Sequence, residues 1–152
     1  MSEETKETRE DILTRVGEDL FNYSTEREDI KSVASMIPED CEISPDNVEY
    51  ELQILKFISV GWGIAYYIRD REIREFLSSA YWEAIRDLCV SLSQSTGLLV
   101  GQELDYFQII KDRFNTYVRA LEQSGENYSP ASVIGPEFAA ACGNKDDIFC
   151  VH

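Results

Sequence analysis

Histidine is almost missing from this sequence: the one imidazole belongs to His152, its last residue. Nucleophilic triads and Cys–His pairs hold an imidazole against the nucleophile, and a chain end is hard to hold. A di-iron carboxylate bundle needs Glu-x-x-His on two helices and covalent haem needs C-x-x-C-H; neither spacing occurs. Glycine-rich phosphate loops are lacking too. Gly61 and Gly63 in VGWGIA form neither G-x-G-x-x-G nor a P-loop, and they fall inside a helical pattern, not after a strand. The four cysteines, Cys41, Cys89, Cys142 and Cys150, include no C-x-x-C pair, which suits a reducing compartment. Cys142, Cys150 and His152 fall within eleven residues but match no zinc spacing, and read as one helix-packed and one tail cysteine. No catalytic residue, no metal site and no cofactor is therefore expected.

Long hydrophobic runs are short of membrane length. The longest, residues 52–68 (LQILKFISVGWGIAYYI), contains Gln53 and Lys56 and stops short of the ~20 apolar residues a span requires. The opening residues, MSEETKETRED, are acidic where a secretory leader is basic and then apolar. The expectation is a cytoplasmic protein. Positive charge is scarce as well: 14 Lys and Arg stand against 29 Asp and Glu, a net charge of −15. The first 51 residues hold 16 of the acidic side chains and only 5 of the basic ones. That field repels phosphate backbones and anionic lipid heads, so neither nucleic acid nor a membrane surface is an expected partner. It serves solubility, or offers an acidic face to a basic protein.

What the chain does have is apolar residues at helical spacing. At 152 residues and 43% hydrophobic content it can bury a core, and one domain over residues 11–152 is expected behind a frayed or disordered acidic start, residues 1–10. Ile54, Phe57, Ile58, Gly61, Ala65 and Ile68 recur at steps of three and four, with Leu55, Trp62 and Tyr66 widening the stripe. No segment alternates as a strand does. The predicted fold class is all-α: a single-domain helical bundle of about five to six helices around a buried central helix, residues 46–68.

Taken in order, Ile12, Leu13, Val16, Leu20 and Phe21 predict a first amphipathic helix that Asn22, Tyr23 and Ser24 break. Thr25 with Glu28 reads as a capping box for a second, shorter helix, and PEDCEISPDN as a loop. Asp46 with Glu49, after Pro45, caps the central helix. A helix continuous to Ser95 would be about 75 Å long, too long for a compact domain, so a turn is expected near residues 69–72. Ile73 to Leu92 positions resume a helical stripe that residues 93–97 close. A helix over residues 103–123 carries the clearest seam, through Leu104, Phe107, Ile110, Phe114, Tyr117, Val118 and Leu121. Pro136 reads as the first turn of a last short helix, PEFAAAC.

Tyr, Trp and Arg, the residue types enriched at binding hot spots, crowd the middle of the chain. The candidate ligand- or partner-binding residues are Trp62, Tyr66, Arg69, Arg113 and Tyr117. The same residues also suit the rim of a core, polar ends in water. The favoured function is a non-enzymatic protein-interaction module, binding a protein partner or itself. The alternatives are a small-molecule-binding bundle with a pocket between the central helix and the 103–123 helix, lined by Trp62, Tyr66 and Tyr117, and an enzyme using carboxylate, Tyr or Arg without His. Small pairs, Ser59 with Gly63 and Gly61 with Ala65, favour close packing over such a pocket. Glu83, Asp87, Asp105 and Asp112 are the carboxylates nearest apolar positions.

Overall fold

The helical spacing is realised as six helices in a computed structural model that describes residues 8–39, 43–100, 105–124 and 129–142. In chain order they are α1 (Arg9–Thr25), α2 (Glu28–Ala34), α3 (Pro45–Tyr67), α4 (Arg71–Val100), α5 (Tyr106–Ser124) and α6 (Pro130–Cys142). No strand occurs among the described residues, and the fold is an all-α helical bundle. Its contacts fall into two compact units. One holds α1, α4 and α3 from Ser59 onward; the other holds α2, α5, α6 and α3 up to Ile58.

In the first unit α1 packs on α4. Leu77, Tyr81, Ile85 and Cys89 repeat every four residues along α4 and are all buried, as repetition at that step keeps one face of the helix inward. Gly17 of α1 lies over Leu77 and Ala80. The buried Ser24 hydroxyl donates to the Phe21 carbonyl and shares a hydrogen bond with the Tyr81 phenol. From α3, Gly61 is approached so closely by the Trp82 indole that a methyl there would overlap the ring. Close packing at Gly61 is thus realised, whereas Gly63 has open space around it.

In the second unit Ala34, Val48 and Cys142 form an apolar cluster with Ile37, Ile43, Leu52 and Phe138 at its margin, and α5 packs on α6. Lys56 Nζ reaches across from α3 to both Asp29 carboxylate oxygens, at 3.0 and 3.1 Å, and to the Glu26 carbonyl, fastening α2.

Several boundaries differ from the sequence reading. Thr8 and Asp11 cap α1 reciprocally, backbone N–H to side chain at 3.2 Å each way, so Arg9 and Glu10 are helical; residues 1–7 lie outside the described residues. Asn22, Tyr23 and Ser24 do not break α1. The Ser24 and Thr25 hydroxyls donate back to carbonyls three residues earlier, a bond made within the helix. Thr25 therefore ends α1, and Arg27, with no side-chain cap, precedes α2. Serine and threonine lower helix propensity by tenths of a kcal/mol without removing a backbone donor, and α4 continues through residues 93–97 to Val100. The turn expected at residues 69–72 lies at 68–70, where Asp70 caps α4 through Ile73 N–H. Proline opens two helices, α3 at Pro45 and α6 at Pro130, each directly after a serine. Pro136 is consequently interior to α6, which Ser129 caps by accepting from Ser132 N–H. The central stripe also ends early: Ile54, Phe57, Ile58, Gly61 and Ile64 are buried, but Ala65, Tyr66 and Tyr67 are exposed. Cys41, Cys150, His152 and the apolar tail lie outside the described residues.

Candidate functional site

The five candidate residues separate into two groups. Trp62, Tyr66 and Arg69 belong to the first unit, Arg113 and Tyr117 to the second.

In the second unit the site is built from one turn each of α3 and α5. Asn47 and Glu51 are four apart on α3, and Arg113 and Tyr117 four apart on α5, so each pair projects from one helix face. Glu51 is fully buried. Arg113 answers it with two parallel bonds, Nη2 to Oε1 at 2.7 Å and Nε to Oε2 at 2.9 Å. The Asn47 amide donates to the Cys142 carbonyl at the end of α6, while its Oδ1 has no hydrogen-bond partner among the described residues. Tyr117 is fully buried and its hydroxyl likewise lacks a partner among the described residues. Burial drives the Tyr117 pKa upward, the Glu51 carboxylate adds to the rise and Arg113 opposes it, so the group remains a phenol.

Beside these residues a cleft of about 330 Å³ opens on α5 and α6, lined by Arg113, Thr116, Tyr117, Glu137, Ala140 and Ala141. Glu137 is half-buried and has no ion-pair partner among the described residues. Glu83, Asp87, Asp105 and Asp112, the carboxylates singled out in the sequence, are all exposed; the buried carboxylate among the described residues is Glu51. Its signal was register: Glu51 stands three residues before Ile54 and seven before Ile58, on the buried stripe.

In the first unit the end of α3 presents Tyr66 and Tyr67 to solvent, 80% and 77% exposed. Their rings meet edge to face at 5.0 Å between centroids. Arg69, in the turn that follows, is exposed and makes no ion pair among the described residues. Its neighbours are engaged: Asp70 lies 3.8 Å from Arg9, Arg71 bonds Glu75 at 2.9 Å, and Arg74 donates to the Ile68 carbonyl. Trp62 is half-buried one turn earlier.

Among the described residues no three His, Cys, Asp or Glu side chains come together to hold a metal, and no helix is long and apolar enough to cross a membrane. No family model, curated protein or solved structure matches this chain.

Proposed function

We infer that this chain is a non-enzymatic protein-interaction module whose docking patch is the corner between α3 and α4, with Tyr66 and Tyr67 as anchors and Arg69 beside them. One observation carries the reading: two large aromatic side chains stand mostly in water, held against each other, followed in the chain by a guanidinium that makes no ion pair among the described residues. A tyrosine offers area with few rotatable bonds, and the edge-to-face contact restrains both rings before a partner arrives, which reduces the ordering cost of docking. Arg69 supplies a planar fork for a carboxylate. The partner that fits is a protein surface with an apolar groove for the rings and an acidic side chain at its end. A chain almost without histidine supports the non-enzymatic part of this reading.

The test is site-specific photocrosslinking in cells of the source organism, with a benzophenone side chain in place of Tyr66 and, as control, in place of exposed Glu83 on α4. A discrete adduct at position 66, absent at position 83 and lost on Arg69→Glu, is the expected result. Equal adducts at both positions, or none at position 66, overturn the reading.

A further inference from the structure

Helix α6 is attached differently from its neighbours, and its own sequence works against it. Pro136 sits in its interior and has no N–H for the Ser132 carbonyl one turn back, and Gly135 beside it is a poor helix former. A 13-residue helix with such an interruption does not persist alone in water, so its helicity depends on docking. That docking is thin. Of its described side chains Cys142 alone is buried, set against Ala34 and Val48, while Phe138 packs half-buried at the margin of the same cluster. A hydrogen bond from the Asn47 amide of α3 reaches the Cys142 carbonyl, at the same last residue. The one charged side chain of α6, Glu137, makes no ion pair among the described residues. The other helices of the unit are fastened without α6: Arg113 ties α5 to α3 through Glu51, and Lys56 ties α2 to α3 through Asp29 and the Glu26 carbonyl. We propose that α6 is a strap, which lifts as one piece while α2, α3 and α5 stay packed, and so uncovers the apolar cluster around Ala34 and Val48. Once Cys142 and Phe138 leave their places, the rest of α6 has too little intrinsic helicity to remain. The docked strap keeps that apolar surface covered, and any contact made there waits on its release.

The experiment is amide hydrogen exchange of the full chain in a series of low urea concentrations, with α3 and α5 as controls from the same unit and alkylation of Cys142 as a second readout. The expected result is that the α6 amides share one opening, more than about tenfold more frequent than that of α3 and α5 and nearly independent of urea. Cys142, although buried, should be alkylated through the same opening. Pro136→Ala returns the missing backbone bond and should slow α6 exchange and Cys142 alkylation about a hundredfold. Phe138→Ala removes an apolar anchor and should speed both about tenfold, with α3 and α5 still protected. Three results overturn the proposal. In the first, α6 and Cys142 share the slow, steeply urea-dependent opening of α3 and α5. In the second, α6 exchange is graded from one end while Cys142 stays unlabelled, which is fraying. In the third, Pro136→Ala leaves both rates unchanged. None of these results bears on the aromatic corner.

Discussion

Arg113 closes on Glu51 with two nearly parallel bonds, the shorter 2.7 Å from Nη2 to Oε1, although the two residues are 62 positions apart and the carboxylate is wholly out of water. Burying either charge alone would cost several kcal/mol, and only a pair of this geometry offsets that cost. The ion pair ties α3 to α5 at a fixed register within their unit, because shifting either helix by one residue would leave the buried Glu51 carboxylate without its partner.

Removing one partner should therefore hurt more than removing both. Arg113→Leu and Glu51→Met are each expected, alone, to lower stability by about 3–5 kcal/mol, while the two combined recover most of the loss. Urea denaturation of the four proteins in this cycle checks the claim. Additive losses in the double variant would mean the pair is not coupled.

Two glycines on one helix should respond with opposite signs. Gly61→Ala drives a methyl into the Trp82 indole, which is held edge-on against buried Tyr81 at 5.1 Å, and should cost about 1–3 kcal/mol. Gly63→Ala meets open space and should gain about 0.5–1 kcal/mol through helix propensity. Thermal melts of both variants, with Gly61→Ala repeated in a Trp82→Leu background where the clash is gone, decide the matter.

Cys89 is buried, and burial, reinforced by the Asp105 carboxylate, pushes its thiol from 9.0 up to about 11. The folded state thus disfavours the thiolate. Its contribution to stability is fully present below pH 9.0 and is lost as pH rises toward about 11, where the folded thiol also ionises. At neutral pH, alkylation of Cys89 followed by peptide mapping should proceed only at the rate of unfolding and accelerate with urea. Prompt labelling in the native protein would contradict its burial.

Asp29 shows the opposite sign. Its bonds to Lys56 lead the causes that hold its carboxyl below 3.8, so the pair stabilises the fold above that pH and the contribution fades as pH falls through the lowered folded value. Because the Asp29 side chain is 57% exposed, the effect is small and screened. Asp29→Asn should lose little stability at neutral pH in low salt, and the difference from wild type should vanish in about 1 M salt and at low pH. A deficit that persists in salt would point to the hydrogen-bond geometry in place of charge.

Much of the fold was legible because its cause is local. A residue's place on a helix face follows from spacing alone, so the stripes through Ile54, Phe57 and Ile58 and through Ile110 and Tyr117, the interruption between α3 and α4, and the burial of Cys89 and Cys142 follow from periodicity and length. Helix ends were less legible, since the same serine reads as a breaker or, with its hydroxyl folded back as at Ser24, as an ordinary helical residue. Pro45 and Pro130, each directly after a serine, open helices, whereas Pro136, read from the sequence as a first turn, is interior to α6.

The sequence by itself determined the helical class, the surplus of negative charge and the shortage of imidazole, because periodicity and composition need no partner. Only the tertiary structure decided which acidic residue among the described ones is buried, which tyrosines face water and which glycine an indole requires. Those outcomes depend on what another helix brings to the same point: Arg113 for Glu51, Trp82 for Gly61, and, for Tyr66 and Tyr67, no covering element among the described residues. Contacts between residues distant in the chain leave no periodic trace in it, which is why the candidate site was the least legible part of the protein.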